Sequence, residues 1–215
     1  MTSIKLLAHT PDPDIMCCAA AKLCHEPDER SLDDMVAWLR EHPDHVKRVI
    51  EHVIKLGHTS TLEHASFTFG VEDVSRALTH QLVRHRIASY SQQSQRYVNM
   101  DEPTYVVPDT CATQEQKDEF LVSMKEAWGH YDKLRKMGLN KEDARFVLPN
   151  ACITKIVITM NARALRNFFS LRCTKHAQWE IRKLANEMLR QVKVVAPVIF
   201  SGVEPYVDEP PVKEG

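Results

Sequence analysis

Short segments in which apolar and polar side chains alternate predict β-strands in this chain. They are SIKLLAH (3–9), HASFTFGVE (64–72) and CITKIVITM (152–160). Longer segments with apolar residues three or four positions apart predict helices at residues 17–25, 31–57, 74–86, 115–139, 161–173 and 176–197. This mixture predicts one α/β (α+β) domain over residues 1–205, with a mixed sheet flanked by helices, and a loose tail at 206–215.

Polar and proline residues indicate where the helices begin and break. Ser31 is the expected N-cap of the second helix, and Pro43 should interrupt that helix. An irregular segment rich in Ser and Gln follows the third helix, and residues 102–114 form a predicted proline-containing loop with a short extended piece. The hydrophobic pattern alone does not explain the Ser/Gln-rich segment.

Composition limits the class of protein. The chain has 215 residues, of which 43% are hydrophobic and 27% charged, as in soluble globular domains. No apolar run approaches the roughly 20 residues of a membrane-spanning helix, and the first residues, MTSIKLLAHTPDPD, do not resemble a signal or transit peptide. We therefore expect a cytoplasmic protein that binds no membrane and whose six cysteines, which include no CxxC pair, are reduced.

Positive charge is concentrated in two windows, although the formal net charge is only −1. No acid lies between Asp73 and Asp101, a window that contains Arg76, Arg84, Arg86 and Arg96. A second acid-free window, residues 144–179, contains Arg145, Lys155, Arg163, Arg166, Arg172 and Lys175. Such windows suggest a site that binds an anion. The alternative of basic surface patches paired with acids elsewhere in the fold stays open.

Helical positions place several polar groups toward the predicted core. Gln81 and His85 fall on the apolar stripe of the third helix, if that helix continues to residue 86. Asn161 and Arg172 fall on the apolar arc of the helix at 161–173. Each of them could be a buried residue satisfied by backbone carbonyls. A guanidinium directed toward a core nevertheless needs an anion or several acceptors, because burying an unpaired charge is costly.

The motif RHRIASYSQQSQRY (84–97) favours a phosphorylated, planar ligand such as a nucleotide. The planar guanidinium of arginine binds phosphate through two parallel hydrogen bonds and stacks on rings, which lysine does not do. The Ser and Gln side chains add donors and acceptors suited to a base or a sugar, and Tyr97 offers a stacking face. There is no GxGxxG or GxxxxGK[ST] motif, so side chains rather than a glycine-rich loop would hold the ligand.

Two other functions fit parts of this pattern. A nucleic-acid-binding module could use the arginines with Tyr90 and Tyr97 to grip phosphates and stack bases. The near-zero net charge and the absence of an extended basic face argue against it, and we expect no nucleic-acid partner. A nucleotide-binding transferase or hydrolase without a coloured redox cofactor is the second alternative. Salt-dependent binding of RNA or DNA would support the first alternative, and a colourless protein that binds a free nucleotide would support the second.

The motif RHRIASYSQQS resembles the signature of the flavin-dependent thymidylate synthases, which is Arg-His-Arg, seven residues and then Ser. Here these residues are Arg84, His85, Arg86 and Ser94. Further similarity follows the same order along the chain, in GHTSTLEHASFTF, ARFVLP and NARALRNFFSLRCTKHAQWEI. Residues 101–141 and those after Pro197 carry little of the resemblance.

The resemblance implies methylation of dUMP to dTMP, with methylenetetrahydrofolate as the carbon donor, FAD as the redox carrier and NADPH as the reductant. It also implies an α/β fold and a homotetramer whose active sites are built from several subunits. In this family FAD is held at a subunit interface by side chains, which would account for the missing glycine motif.

Carried over by position, the resemblance implies two sets of binding residues. The residues expected at dUMP are Gln81, Arg84, Gln92, Gln93, Ser94, Gln95, Arg96, Arg145 and Arg172, with Arg96 and Arg145 as candidates for its phosphate. The residues expected at FAD are His58, Arg84, His85, Arg86, Ser91, Gln92, Asn161, Arg163, Asn167 and His176. Gln92 occupies a place where some members carry a carboxylate, so the role of an acid is not transferred to it.

Arg172 and Ser94 are the expected catalytic residues. A cation at the pyrimidine carbonyls would stabilise negative charge as hydride arrives at the ring. We interpret Ser94 as a positioning group and not a nucleophile, because no His or acid is placed by the sequence to activate it. Cys152 and Cys173 are interpreted as packing residues. No metal is expected, since the histidines near His58 lack the HExxH spacing.

Overall fold

The computed structural model describes residues 2–25, 29–98, 100 and 102–207. The strands in these residues are β1 (Ser3–His9), β2 (Ser66–Ser75), β3 (Ser89–Gln92) and β4 (Ile153–Asn161). The α-helices are α1 (Pro13–His25), α2 (Leu32–Glu41), α3 (Pro43–Lys55), α4 (Arg76–Leu82), α5 (Gln114–Lys136), α6 (Lys141–Ala144), α7 (Ala162–Arg172) and α8 (Trp179–Val195). Two short 3-10 helices cover Thr59–His64 and Arg145–Val147.

The four strands form one antiparallel sheet in the order β1-β2-β4-β3. The three strands predicted from alternation are confirmed as β1, β2 and β4, and the predicted α/β mixture is confirmed. The prediction of a mixed sheet was wrong. Alternation determines which face of a strand is buried, but it does not encode the direction in which neighbouring strands run.

The chain divides into two compact units that alternate along the sequence. Unit 1 contains Met1–Ser3, Val71–Arg84 and Tyr90–Val157; unit 2 contains Ile4–Gly70, His85–Ser89 and Ile158–Gly215. A single functional domain over residues 1–205 stays a prediction. Most of the predicted loose tail, residues 208–215, lies outside the described residues.

The core of unit 1 lies beneath α5. Trp128 and Tyr131 of this helix are almost fully buried, and they cluster with Met100 and Cys152. Trp128 donates its indole N–H to the Met100 carbonyl across 3.0 Å, which satisfies the polar atom of a buried ring. The charged residues of α5 are mostly exposed. The buried face of α5 supports α6 and the 3-10 helix that begins at Arg145.

The core of unit 2 contains helices α1–α3, α7 and α8 and a set of aromatic rings. Phe67 and Phe169 each pack edge-on against Phe200, with ring centroids 5.6 and 5.7 Å apart. Asp14, in the first turn of α1, accepts hydrogen bonds from the backbone N–H groups of Val198 and Ile199. These bonds connect the segment after α8 to the start of α1.

Three helix boundaries differ from the prediction and affect the site. Helix α4 begins at Arg76, where the Ser75 hydroxyl caps it, and it ends at Leu82. His85 is therefore not on this helix, because the chain after Leu82 leaves the helix to pair as β3 with β4. Asn161 precedes α7 as its N-cap and does not lie on the apolar arc. The predicted break near Pro43 is confirmed, with α3 beginning at that proline.

Candidate active site

Ser94 begins a turn in unit 1 that presents the end of the signature motif. Its carbonyl accepts hydrogen bonds from the backbone N–H groups of Tyr97 and Val98, and its hydroxyl accepts one from Arg96 N at 3.2 Å. Among the described residues, no histidine or carboxylate forms a hydrogen bond with this hydroxyl. The geometry is that of a turn-stabilising serine, since an activated serine nucleophile requires an adjacent base.

Arg96 and Arg145 in unit 1 are both oriented by Glu142. The Glu142 carboxylate pairs with Arg96 Nε at 2.7 Å, and its backbone carbonyl accepts from Arg145 Nε at 2.9 Å. The Arg96 guanidinium also lies 5.6 Å from the centroid of the Tyr97 ring. Two guanidiniums are thus held near one turn, in an arrangement suited to a phosphate.

Gln92 has an amide whose orientation is determined by its neighbours. Thr79 Oγ1 donates its only proton to the Arg76 carbonyl at 3.0 Å, so it can only accept from Gln92. Gln92 Nε2 accordingly donates to Thr79 Oγ1 and Thr154 Oγ1, at 3.1 and 3.2 Å. Its carbonyl oxygen has no partner in the described part of the chain. Gln92 therefore offers an acceptor, as a carboxylate would at this position.

Gln95 and Cys152 lie side by side in the interior of unit 1. Gln95 is buried and its Nε2 has no hydrogen-bond partner among the described residues. Burial raises the pKa of Cys152 to about 11, and the adjacent Gln95 side chain opposes this shift. Burial likewise raises the pKa of Cys173, in unit 2, to about 11. Neither thiol is ionised at neutral pH, which is the opposite of what a cysteine nucleophile needs.

The other predicted dUMP residues of unit 1 lie near the same elements. Gln81 is half-buried at the end of α4, and the exposed Arg84 follows it. Neither side chain forms a hydrogen bond or ion pair with another described residue. The Gln93 backbone N–H pairs with the Lys155 carbonyl at 2.9 Å, next to β3. Ser91, predicted at FAD, is exposed on β3.

Arg172 and His85 meet in unit 2. Arg172 Nε donates to His85 Nε2 across 3.1 Å, and the imidazole packs edge-on against Phe168, with ring centroids 4.9 Å apart. Burial and, secondarily, the charge of Arg172 lower the pKa of His85. A neutral imidazole with its proton on Nδ1 can accept this bond, so His85 holds the guanidinium while leaving its full positive charge unneutralised.

The start of α7 carries three of the residues predicted at FAD. Asn161 Oδ1 accepts from Ala164 N at 2.8 Å and caps the helix. Arg163 forms an ion pair with Glu63 at 2.6 Å, and Asn167 is exposed one turn further along. The helix cap leaves the Asn161 amide nitrogen as its remaining donor. The helical wheel predicted that Asn161 faces the core, and this was wrong: Asn161 caps α7 and is only partly buried.

The last three of the residues predicted at FAD also lie in unit 2. His58 lines a cavity of about 530 Å³ together with Lys22, His45, Arg48 and His52, and with apolar side chains of α1 and α3. Arg86 and His176 are exposed. The donors available in unit 2 are therefore guanidinium, imidazole and amide groups at or near the surface.

Sequence reasoning missed the contacts of four residues. Thr79 and Thr154, which orient Gln92, gave no signal because their pattern is that of ordinary buried residues. Glu142 lies in a charged stretch typical of a solvated face. Arg166, predicted as one cation of the second acid-free window, donates to the carbonyls of Ile199 and Ser201. Such bonds to carbonyls distant in sequence leave no local pattern.

The described residues contain neither a metal-binding cluster nor a membrane-spanning helix. No group of three or more His, Cys, Asp or Glu side chains there could hold a metal ion. No helix there is long and apolar enough to cross a membrane. All six cysteines lie in the described part, and none of them forms a disulfide bond there. Fold and side chains together define an α/β protein with arginine-rich groups suited to a phosphorylated, hydrogen-bonding ligand.

Comparison with known proteins assigns the family. The family described as "Thymidylate synthase complementing protein" matches residues 5–198. A flavin-dependent thymidylate synthase of Geobacter sulfurreducens is 51% identical over 215 residues, covering 99% of this chain and 91% of that protein. One from Clostridium tetani is 48% identical over 214 residues, covering 92% of this chain and 84% of that protein. The chain belongs to this family of flavin-dependent thymidylate synthases, as the motif predicted.

A solved structure supports the fold. The UMP/dUMP methylase PolB from Streptomyces cacaoi, bound with 5-Br dUMP, aligns with a TM-score of 0.79 over 97% of this chain and 98% of that one. The sequences are 23% identical, so this likeness bears on the fold alone.

Proposed function

We propose that this chain is a thymidylate synthase that methylates dUMP to dTMP with methylenetetrahydrofolate as the carbon donor, NADPH as the reductant and FAD as the redox carrier, in the cytoplasm. The observation that carries the proposal is the 51% identity to a flavin-dependent thymidylate synthase across nearly the whole chain. The unneutralised Arg172 guanidinium and the un-ionised cysteines agree with hydride transfer that uses no cysteine nucleophile.

The donor set of unit 2 fits FAD. Guanidinium groups suit its pyrophosphate, and imidazole and amide groups suit its ring edges and ribityl hydroxyls. Arg86, Asn167 and His176 would hold it from the surface, with His58 and His85 as further donors of this unit. The Arg163 guanidinium would have to share its contact with Glu63. When bound and reduced by NADPH, the flavin would supply the hydride that is transferred to the pyrimidine ring.

Arg172 is the proposed electrostatic catalyst. Held by the neutral His85, its guanidinium would lie at a pyrimidine carbonyl and stabilise negative charge that develops there. A carboxylate partner would neutralise this charge in advance, whereas an imidazole acceptor does not. A hydrogen bond from Arg172 to a neutral histidine therefore leaves more positive charge for the transition state than an ion pair would.

The groups of unit 1 are proposed to hold dUMP. Arg96 and Arg145 would bind its phosphate, and Ser94 would order the turn that carries Arg96. The free carbonyl oxygen of Gln92 matches a donor such as the pyrimidine N3–H. Gln92 could therefore perform the recognition that a carboxylate performs in some relatives without being an acid.

We also propose a homotetramer with active sites shared between subunits. Arg84, Arg86, Asn167 and His176 are exposed in the single chain. Because these polar side chains are exposed and have few partners within the chain, they could bind an FAD molecule that lies between two copies of the chain. Mass measurement in solution, with and without FAD, tests the assembly, and a monomer that is fully active would contradict it.

The visible spectrum of the purified protein, recorded alone, with FAD and then with dUMP, tests the function. Bound flavin whose absorbance bands shift on adding dUMP would place both ligands in one environment. A protein that stays colourless and cannot be loaded with FAD would contradict the proposal. Binding of dUMP without flavin would favour a flavin-free nucleotide transferase or hydrolase, and salt-dependent RNA or DNA binding would favour a nucleic-acid module.

A turnover assay then tests the reductant and the carbon donor. Because NADPH supplies the reducing equivalents, the folate should leave at the tetrahydrofolate level and not as dihydrofolate. One NADPH should be oxidised for each dTMP formed. Formation of dTMP with equimolar dihydrofolate and no NADPH oxidation would contradict the proposed chemistry.

A further inference from the structure

Arg182 of α8 holds the loop that carries His176 in unit 2. One terminal nitrogen of its guanidinium, Nη1, donates to the Lys175 carbonyl at 3.1 Å and to the Ala177 carbonyl at 3.0 Å. These two carbonyls lie on either side of His176 in the chain, and the His176 side chain is exposed. The two bonds therefore fix the backbone around a residue whose imidazole is proposed to bind FAD.

The loop in question covers residues 173–178, between the end of α7 and the start of α8. At its centre the Ala177 N–H donates to the Thr174 carbonyl at 3.2 Å, which closes a turn around His176. Ordering a loop at the moment of binding costs free energy, so bonds that order it in advance increase its affinity for a ligand. The contacts of Arg182 are bonds of this kind.

The segment after α8 supports the same guanidinium. Arg182 Cζ lies 5.4 Å from the centroid of the Tyr206 ring, within the range of a cation–π interaction. The backbone of Tyr206 is fixed in turn by Asn186, a buried residue one turn further along α8. Asn186 Nδ2 donates to the Tyr206 carbonyl at 2.6 Å, and the Tyr206 N–H donates to Asn186 Oδ1 at 3.0 Å. The C-terminal segment is thereby connected, through Arg182, to the loop at 173–178.

We propose that Arg182 and Tyr206 are positioning residues for flavin binding, which act through the loop at 173–178 and keep His176 in place for the cofactor. Arg182 follows directly on the last segment that carries the family resemblance, and Tyr206 lies well beyond it. The inference rests on the proposed function for the identity of the ligand, FAD. The ordering of the loop by Arg182 does not depend on that identity.

Titration of the flavin-free, full-length protein with FAD tests the proposal. Arg182→Met keeps the apolar stem and removes both bonds to the loop, so we expect FAD to bind about tenfold more weakly. Tyr206→Ala keeps the backbone bonds to Asn186 and removes the ring, and should weaken binding by about 2- to 5-fold. Tyr206→Phe keeps the ring and should bind as the wild type does. The matched control is Lys193→Met, which removes another contact of the C-terminal segment, the ion pair with Glu204 at 2.8 Å, and should stay within about twofold.

Hydrogen exchange of the flavin-free protein provides a readout that needs no cofactor. The Ala177 amide should exchange about tenfold faster in Arg182→Met than in the wild type, and also faster in Tyr206→Ala. The amides of Leu184 and Leu189, which are buried in α8, should keep their wild-type rates. Equal acceleration at all three amides would mean a general loss of stability, and it would overturn the positioning role. If Arg182→Met does not fold, the comparison of Tyr206→Ala with Tyr206→Phe decides.

Turnover separates positioning from a direct part in the reaction. Because the loop affects only how tightly FAD is held, kcat for dTMP formation at saturating FAD should return to within about threefold of the wild type in Arg182→Met. A kcat that stays depressed by more than about tenfold at saturating FAD would overturn a role confined to binding.

The outcomes also separate this inference from the proposed function. If the wild type binds FAD and Arg182→Met and Tyr206→Ala bind it equally well, the function stands and the inference fails, even if Ala177 exchanges faster. If the wild type binds no FAD, the proposed function fails, and the positioning role for flavin falls with it. Weaker FAD binding in these two variants, with wild-type affinity in Tyr206→Phe and Lys193→Met, supports both.

Discussion

Acid should weaken the contact between Arg172 and His85 in a way that can be separated from other effects of pH. Arg172 Nε donates to His85 Nε2 at 3.1 Å, so that nitrogen must carry no proton. Burial, and after it the charge of Arg172, lowers the pKa of His85 below the ordinary value of about 6.5. Protonation removes the acceptor and places a second positive charge against the guanidinium.

Protonation of His85 should cost stabilising free energy in two ways. A hydrogen bond to a charged group contributes about 1.5–3 kcal/mol. Two unit charges separated by the observed 3.1 Å repel by about 1 kcal/mol in water and about 5 kcal/mol at an effective dielectric constant of 20. Both side chains are partly exposed, so screening favours the lower figure. A total of about 3 kcal/mol would slow the reaction about 150-fold if all of it falls on the transition state.

The His85→Gln variant provides the comparison, because its amide oxygen can accept from Arg172 and does not titrate. We would measure kcat for dTMP formation between about pH 8 and pH 5 and normalise each protein to its own plateau. The wild type should lose activity as the pH falls below about 6.5, and the variant should lose much less. Nitrogen-15 NMR of the wild type at neutral pH should show His85 protonated on Nδ1 and unprotonated on Nε2.

The contact between Arg172 and His85 should also make the free energy of unfolding depend on pH. Since the folded-state pKa of His85 lies below the unfolded one, the unfolded chain binds more protons between these values. The stabilisation that needs neutral His85 is therefore fully present above about pH 6.5 and is lost as the pH falls through the folded-state pKa. The difference in thermal midpoint between the wild type and His85→Gln should shrink on acidification. Identical pH profiles for both proteins, or a protonated Nε2 at neutral pH, would refute the reasoning.

Three substitutions test the remaining roles. Arg172→Ala should lower dTMP formation by at least about 100-fold while the flavin absorbance of the loaded protein is retained, and near-normal turnover would contradict the role of Arg172. Ser94→Ala removes a hydroxyl that accepts only from Arg96 N, so dTMP formation should remain measurable with a raised KM for dUMP; complete loss of turnover with dUMP still bound would restore the nucleophile interpretation. Gln92→Glu has no N–H for Thr79, so calorimetry should show dUMP binding weakened by about tenfold, and unchanged affinity would mean that the amide orientation is wrong.

Much of the fold follows from periodicity. Alternation found β2 and β4 because one face of each strand is buried, and it found β1 although only Ile4 and Leu6 of that strand are even partly buried. Apolar spacing found the longer helices. The strand β3 was missed because SYSQ is short, contains no β-branched residue and has only partly buried side chains on its inner face. Its pairing with β4 also ends α4 earlier than the apolar stripe predicts, an example of tertiary pairing that overrides local pattern.

In the candidate site, too, the sequence predicts residue types but not the contacts between distant residues. The charge windows and the motif identified Arg96, Arg145 and Arg172, since the sequence shows residue types directly. The hydrogen bond between Arg172 and His85 joins residues 87 positions apart, and no local pattern encodes it. Asn161 was placed on a buried arc because a helical wheel assumes helical geometry at every position. An N-cap residue lies outside that geometry, although its residue type, directly before an apolar run, is itself a capping signal.

Glu142 holds the proposed phosphate ligands before any substrate arrives, through its carboxylate on Arg96 and its carbonyl on Arg145. A phosphate that takes Arg96 therefore displaces a carboxylate and not merely water. Binding becomes an exchange of anions, in which the guanidinium is already ordered and Glu142 returns to solvent. Such an exchange lowers the affinity for every ligand that carries the phosphate, the product as much as the substrate. If dTMP is the product, as proposed, the internal carboxylate would recapture Arg96 as dTMP leaves, and this would favour product release over tight retention.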